Sequence, residues 1–367
     1  MAINNFTSAD SINLLGVGYR FPEGEQPAEA LSGRYKNYIP ALKSERKTVV
    51  RHRLSAATEA QAIQLNDHGQ AEFLSSNLPL PRSGEVAVAL DCINLTGVNL
   101  RNELVTEYRR GYFAIGVIYS VGDKVVNWHK GDFVIVAADG NPASHVVCAS
   151  TRVFSATLFE GFASEDVAAL LTTLVPVYYS LHTVARVAPG ETVLIDAELG
   201  TSAIAAHSIS RWLAARPRLF RCTDEGPQIL DGEIVIDLSK PDFINSLTDE
   251  DRNIQARAWL HSTKCDGKIS SAGLVAPNAH ELVLSEDSAP SLACPRENAH
   301  STISALKLAC IAPKIFQQLL SDIAQIVLFR PQILVSAQQL TQKETLDILS
   351  DSSQQSSGST PILSFIN

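Results

Sequence analysis

The sequence predicts an α/β protein whose β-rich first half is followed by a strand–helix–strand segment typical of a doubly wound sheet. Three observations support this prediction. Short runs rich in Val, Ile and aromatic residues, separated by Gly and Asp, fill the first half. A long apolar helix pattern comes next. The run "TVLIDA" beyond it is a near-continuous apolar strand of the kind that parallel sheets bury.

Composition and charge restrict the classes of function. The 367 residues are 45% hydrophobic and 19% charged, enough for one large or two ordinary domains. The net charge of −9 disfavours general binding to nucleic acid or to anionic membranes, which needs an excess of Lys and Arg. The start, "MAINNFTSADS", lacks a signal-peptide pattern, and the most apolar stretch, 167–181, is short and interrupted by Thr172, Thr173 and Pro176. We therefore expect a cytoplasmic protein.

The cysteines and histidines do not predict a metal site. The nine histidines are scattered without an HExxH pattern, and no two cysteines are two to four residues apart. The cysteines are Cys92, Cys148, Cys222, Cys265, Cys294 and Cys310. We expect reduced, partly buried thiols and no disulfide framework.

The first half contains five candidate strands and then a helix. The strands are 71–74, 85–93, 113–121, 132–138 and 145–149. In the helix, Ser164 is the expected N-cap, with acidic residues in the first turn. Pro176 is expected to interrupt this helix, and "APG" to end it.

The second half alternates strands and helices. After "TVLIDA", a helix in "TSAIAAHSISRWLAA" should place Ile204, Ile209, Trp212 and Leu213 on one face. Further strands are expected at "RLFRC", "EIVIDL" and "ARAWLHST". The C-terminal part predicts an amphipathic helix over 314–327, a mobile polar loop over 350–360 and a last strand, "PILSFI".

Five segments, in order, carry a resemblance to a known family: "LSGRYKNYIPAL", "PRSGEVAVALDCINLTGVNL", "VGDKVVNWHKGDFVIV", "VYYSLHTVARVAPGETVLI" and "EIVIDLSKPDFINSL". Over roughly residues 31–330 they resemble the medium-chain dehydrogenase/reductase superfamily, above all the enoyl reductase domains of fatty acid and polyketide synthases. The resemblance implies a GroES-like β-rich substrate domain with an N-terminal linker (1–175) and a Rossmann-like domain (176–325). It also implies that 326–367 returns to the first domain.

The loop in "DAELGTSAIAAHSIS" departs from the glycine-rich pattern of that family. A dinucleotide loop uses glycines for the tight turn, for close approach of the pyrophosphate and for helix packing. Here Gly200 matches the first glycine, whereas Thr201 and Ala203 replace the next two, and Glu198 adds a negative charge. We interpret the three residues as a vestigial cofactor loop. The alternative is that the hydroxyl of Thr201 donates to a phosphate.

The segment after the second strand of this half also departs from the family. Only residues 223–232 separate "RLFRC" from "EIVIDL", too few for a helical crossover between parallel strands. Either that helix is lost or the two strands are not parallel neighbours. The segment offers Asp224 and Glu225 where basic groups would recognise a 2′-phosphate, and Arg221 is expected to be simply solvated.

Three smaller departures concern the expected cofactor contacts. Asn94 is kept, but Thr96 and Gly97 replace an Arg-Asp pair. Phe113 replaces an acidic residue, and Pro176 replaces a Thr that the resemblance places near the nicotinamide. Together these changes indicate that packing residues survive while polar contacts to the cofactor are lost.

No catalytic residue is predicted. Tyr178 and Tyr179 could serve as proton donors but are more typical of a helix core, His207 is more typical of packing or surface, and Ser208 lies outside a GxSxG elbow.

The sequence therefore favours a non-catalytic, structural enoyl-reductase-like domain of a highly reducing iterative polyketide synthase of fungal type, without cofactor. Implied partners are neighbouring ketoreductase and dehydratase domains, a trans-acting enoyl reductase and a second copy in a homodimer. Two alternatives stay open. One is an active NADPH-dependent enoyl reductase acting on an α,β-unsaturated acyl thioester. The other is a module that binds a protein or ligand in the altered cleft.

Overall fold

The structure, a computed structural model, describes residues 59–96, 98, 100, 111–221, 235–239, 247–261, 273–284, 300–303, 305–329, 337–350 and 360–365. The strands are β1 (Glu59–Leu65), β2 (Ala71–Asn77), β3 (Glu85–Asn94), β4 (Gly111–Val121), β5 (Phe133–Asp139), β6 (His145–Ala149), β7 (Val153–Ser155), β8 (Thr192–Asp196), β9 (Arg216–Arg221), β10 (Val235–Asp237), β11 (Ala256–His261), β12 (Val275–Leu284), β13 (His300–Ile303), β14 (Ala337–Leu340) and β15 (Thr360–Ser364). The helices are α1 (Ser164–Tyr178), α2 (Thr201–Trp212), α3 (Asp249–Arg252), α4 (Ala305–Ile311), α5 (Pro313–Phe329) and α6 (Gln342–Ser350).

The predicted β-rich half forms a seven-stranded sheet in the order β14-β15-β3-β4-β5-β7, with β6 paired to β3. All five strands expected in this half are present, with bounds within a few residues of the prediction. The strand from "PILSFI" lies inside this sheet, antiparallel to β3 and parallel to β14. The last described strand, β15, therefore belongs to the same sheet as the strands of the first half. The domain limits at 175 and 325 stay predictions.

The second half forms a six-stranded parallel sheet in the order β10-β9-β8-β11-β12-β13. In chain order from β8 this is 3-2-1-4-5-6, the order of a dinucleotide-binding fold. The strands expected at "TVLIDA", "RLFRC", "EIVIDL" and "ARAWLHST" are β8 to β11. The predicted fold class, a β-rich domain joined to a Rossmann-like sheet, is confirmed.

One large apolar core lies between the two sheets. It combines Phe113 and Ile135 of the seven-stranded sheet, Val193 and Ile195 of the parallel sheet, and buried side chains from helices α1, α2, α4 and α5. Helix α1 continues into a π-helical turn, Tyr179–Val184, and the two form a 21-residue segment that is long and apolar enough to cross a membrane. Of its apolar 18-residue window, however, 72% is buried inside the protein. Its environment is that of an interior helix.

Two predictions about α1 are wrong. Ser164 is the first helical residue rather than the N-cap, and its hydroxyl donates to the carboxylate of Asp91 at 3.3 Å. Pro176 does not interrupt the helix, which continues to Tyr178. The hydroxyl of Ser180 donates to the carbonyl oxygen of Pro176 at 2.6 Å and supports this turn.

The predicted face of α2 is partly wrong. Ile209 is 1% exposed and packs in the core, and Trp212 and Leu213 pack against it, but Ile204 is 36% exposed. Small buried residues, above all Ala203 and Ala206, form the buried face of α2 instead. The helix therefore approaches the sheet more closely than a row of large side chains would permit.

Strands β9 and β10 are parallel neighbours, with Leu219 opposite Val235. Of the two alternatives, the one in which the two strands are not parallel neighbours is therefore wrong. The connection runs over 222–234, outside the described residues, and it reaches the length of about a dozen residues that a parallel crossover needs. The shortness of this segment thus gives no argument for a lost helix. The polar stretch 350–360 also falls largely outside the described residues.

Candidate functional site

The candidate site is the carboxyl edge of the parallel sheet between β8 and β11. Strand order reverses there, because β9 follows β8 on one side and β11 lies on the other. Ligands of open α/β sheets bind in the crevice at such a switch point. The loop that the sequence predicts to be vestigial, with Gly200, Thr201 and Ala203, follows β8 directly at this edge.

The loop begins with a buried carboxylate. Asp196 ends β8, is 0% exposed, and accepts a hydrogen bond from the main-chain amide of Glu198 at 2.9 Å. This bond starts a 3-10 turn over Ala197–Leu199. A main-chain amide of the loop thus donates to a carboxylate of the same loop.

Gly200 is the N-cap of α2 and the residue whose backbone most constrains the loop. Its φ of 57° and ψ of −124° lie in a region that is strained for any residue with a Cβ atom. A Cβ atom there would meet nothing within 4 Å, so the requirement for glycine is conformational rather than steric. The first of the three expected glycines therefore keeps its turn function.

Thr201 and Ala203 occupy the first turn of α2 in different environments. Thr201 is the first helical residue and is half-buried, whereas Ala203 is fully buried in the core. The amide of Ala203 donates to the carbonyl of Gly200 at 3.0 Å, and no side chain caps the helix. Ala203 thus serves helix–sheet packing, the function of the third glycine in a dinucleotide loop.

The charge at this helix start is unfavourable for a phosphate. A helix N-terminus attracts anions, and here the chain places Asp196 and Glu198 immediately before it. A pyrophosphate brought within about 4 Å of one such carboxylate would meet a repulsion of roughly 1–4 kcal/mol, depending on the local dielectric. Both acids precede the helix, whose first turn has no acidic residue, and a carboxylate there opposes a bound anion.

The next strand pair, β9 and β10, carries an internal ion pair. Arg221, at the end of β9, donates from Nη2 to Oδ2 of Asp237 at the end of β10, at 2.6 Å. Ser239 donates to Oδ1 of the same carboxylate from its amide at 3.0 Å and from its hydroxyl at 2.5 Å. These bonds hold the pKa of Asp237 well below its usual range, and the bond from Arg221 has the largest effect. The expectation that Arg221 is simply solvated is wrong.

A buried histidine and a buried glutamate also meet across β11 and β12, near the same edge. Nε2 of His261 is 3.0 Å from Oε1 of Glu281, and the two residues are 4% and 6% exposed. Because β8 and β11 pair through Ile195 and Leu260, Asp196 and His261 are the next residues along adjacent strands. Sequence reasoning missed this pair, although a polar residue at the end of the apolar run "ARAWLH" was an available signal.

Asn94 has a structural role at the end of β3. Its side-chain nitrogen donates to the carbonyl of Ala168 at 2.8 Å and to the hydroxyl of Thr172 at 3.0 Å. Its side-chain oxygen accepts the amide of Thr96 at 2.8 Å. The first two bonds hold the end of β3 against α1 and the third is local, so the side chain that matches the family pattern is engaged within the fold. Gly97 lies outside the described residues.

Phe113 and Pro176, which replace polar residues of the family pattern, are both buried. The ring of Phe113 stacks on Phe316 of α5, with centroids 5.5 Å apart and an interplanar angle of 8°. The ring of Phe316 also packs against that of Phe154, with ring centroids 4.7 Å apart. An aromatic cluster thus occupies the surroundings of a position where the family pattern has a carboxylate.

The remaining candidates do not come together. Tyr178 is 5% exposed and stacks on His182 with centroids 4.9 Å apart, and His207 is buried on α2. Within the part of the chain that the structure describes, no three His, Cys, Asp or Glu side chains are arranged to hold a metal. Of the six cysteines, Cys92, Cys148 and Cys310 are described and are free thiols. Burial raises the pKa of each of these three, that of Cys148 to about 12.

Comparison with curated proteins relates the chain to polyketide synthases. It is 24% identical over 184 residues to a highly reducing polyketide synthase of Stachybotrys chlorohalonatus, and 27% identical over 183 residues to a phthioceranic/hydroxyphthioceranic acid synthase of Mycobacterium bovis. These matches cover 48% and 47% of the chain but 8% of each synthase. No family model matches the chain.

Two solved structures with a similar fold are reductases. The CurK enoyl reductase superposes with a TM-score of 0.64 at 16% identity, covering 83% of this chain and 99% of that one. The quinone oxidoreductase of Escherichia coli, solved with NADPH, gives 0.63 at 14% identity, covering 84% and 100%. The fold is that of the medium-chain reductases, GroES-like plus Rossmann-like. The chain therefore has the fold of these reductases, and about half of it is similar in sequence to polyketide synthases, as the sequence resemblance predicted.

Proposed function

We propose that this chain is a structural, non-catalytic enoyl-reductase-like domain of a multidomain iterative polyketide synthase and that it does not bind NADPH. The observation that carries the proposal is the loop after β8. Its buried Asp196 accepts the loop's own amide, and Glu198 adds a second carboxylate at the helix start where a pyrophosphate would bind.

Two further observations support the proposal. The arginine placed to receive a 2′-phosphate, Arg221, is already bonded to Asp237. The packing is retained, since Val193, Leu194 and Ile195 of β8 are 0% exposed in an apolar core. One buried, unpaired charge in that core would cost several kcal/mol and unfold a domain of ordinary stability. Intact packing beside altered polar contacts is the pattern of a scaffold.

The proposed partners follow from the relatives, which are multidomain synthases. The domain would lie beside ketoreductase and dehydratase domains of a cytoplasmic synthase, and a separate enoyl reductase would act in trans. Contact with a second copy in a homodimeric synthase belongs to the same proposal.

The test is product formation by the reconstituted parent synthase with a trans-acting reductase supplied. Leu194→Asp should abolish product, because it places a charge in the core. Ser202→Glu should leave product unchanged, because an acid in the first turn suits the helix but would repel a phosphate. Gly200→Arg is a poorer variant, because any residue with a Cβ atom would be strained at the φ and ψ angles of position 200. Loss of enoyl reduction in a folded Ser202→Glu variant would contradict the proposal and favour an active NADPH-dependent reductase.

A further inference from the structure

The contacts around Asp237 have the chemistry of a phosphate site. A guanidinium nitrogen of Arg221, a main-chain amide and a hydroxyl, the last two from Ser239, converge on one carboxylate. Arginine binds carboxylates and phosphates with the same fork of donors, and main-chain amides and hydroxyls complete phosphate sites in many proteins. The donor set is therefore suited to either anion.

The position of this cluster is that of a ligand contact. Arg221 and Asp237 end two adjacent strands, β9 and β10, at the carboxyl edge of the sheet. In dinucleotide-binding folds an arginine in this region accommodates the 2′-phosphate of a bound cofactor. The side chains are 36% and 21% exposed, so solvent reaches the pair.

We propose that the carboxylate of Asp237 is an internal anion that occupies a latent phosphomonoester site formed by Arg221 and Ser239. The inference rests on the proposed loss of NADPH binding and gives it a local cause. The same contacts hold the pKa of Asp237 well below its usual range, so the internal anion stays charged at neutral pH. An external phosphate would have to displace it.

The test uses the full chain and calorimetric titration with adenosine 2′,5′-bisphosphate, with adenosine 5′-monophosphate as the comparison ligand. Asp237→Ala should bind the bisphosphate at least about tenfold more tightly than the wild type does, the scale of one charge-assisted hydrogen bond. The monophosphate, which lacks the 2′-phosphate, should show no such gain. Adding Arg221→Ala to Asp237→Ala should remove the gain.

Asp139→Ala is the matched control. It releases Arg152 from an ion pair in the same way and changes the net charge equally, but it lies in β5 of the other sheet. It should gain no affinity. Should Asp237→Ala fail to fold, as judged by circular dichroism, Asp237→Asn replaces it with the same expectation.

Two results would overturn the inference: folded Asp237 variants that bind the bisphosphate no more tightly than the wild type, or an equal gain in Asp139→Ala. Failure of the proposed function is a different result, because it would appear as NADPH binding by the unmodified chain.

Discussion

The side-chain nitrogen of Asn94 lies 2.8 Å from the main-chain oxygen of Ala168, across 74 residues of sequence. This bond and a second one, to the hydroxyl of Thr172, join the end of β3 to α1. Asn94 is 1% exposed, so the groups that it contacts lie in a buried region. The residue thus ties the β-rich sheet to helix α1.

Replacing Asn94 with Ala should lower the free energy of unfolding by about 1–3 kcal/mol, since buried partners lose their hydrogen bonds. Urea denaturation followed by circular dichroism measures the change. Asn253→Ala is the control, because that side chain bonds the carbonyl of Asp249 in an exposed position, and it should cost less than about 0.5 kcal/mol. An equal decrease in the free energy of unfolding in both variants would show that Asn94 has no special structural role.

Gly116 should tolerate no side chain. A Cβ atom on it would lie 2.1 Å from the carbonyl oxygen of Ala89 on the neighbouring strand β3. We expect Gly116→Ala to destabilise the chain by several kcal/mol, the scale of severe overpacking. At Gly131, where φ is 96° and the space is open, Ala should cost only about 1–2 kcal/mol of backbone strain. A melting temperature for Gly116→Ala at or above that of Gly131→Ala would contradict this reading.

The Asp237 pair predicts a dependence of stability on pH. The folded-state pKa of Asp237 lies below its unfolded value, so the ionised carboxylate stabilises the fold above that unfolded value, and the contribution disappears as the pH falls. Asp237→Asn should therefore be less stable than the wild type at pH 6, and the gap should narrow below about pH 4. Because the pair is partly exposed, a gap of about 1 kcal/mol or less is expected. A gap that is constant from pH 6 to pH 2.5 in chemical denaturation would refute the assignment.

Repairing the loop should not create a reductase. The triple variant Glu198→Ala, Thr201→Gly, Ala203→Gly removes one charge and restores two glycines, but it leaves Asp196 in place. The charge pair of Arg221 also persists. We expect no oxidation of NADPH above background with a crotonyl thioester, measured by absorbance on protein shown to be folded. Clear turnover would mean that the defect resides in the loop alone.

Local patterns predicted the elements well. Runs of β-branched and aromatic residues located β3 to β6, and the amphipathic period located α5 within two residues. The cap at Ser164 was wrong because its hydroxyl finds Asp91, 73 residues away, instead of a nearby amide. Local propensity carries no information about such a partner.

The polar arrangement of the site was the part that sequence could not supply. The pairs Arg221–Asp237 and His261–Glu281 each join residues 16 to 20 positions apart on adjacent strands. Their existence depends on strand order and register, which periodicity does not fix. The Glu198 charge was visible in the sequence, whereas the burial of Asp196 and its bond to the loop amide emerged only with the fold.

The most direct test of the account is calorimetric titration of the purified chain with NADPH at low salt. The account predicts no saturable binding up to about 1 mM NADPH, which corresponds to a binding free energy weaker than about −4 kcal/mol. The reasons are the carboxylates before α2 and the pairing of Arg221 with Asp237. The medium-chain reductase fold of the chain makes the opposite result physically possible. Saturable binding in the micromolar range, competed by NADP⁺, would contradict the account and identify a functional cofactor site.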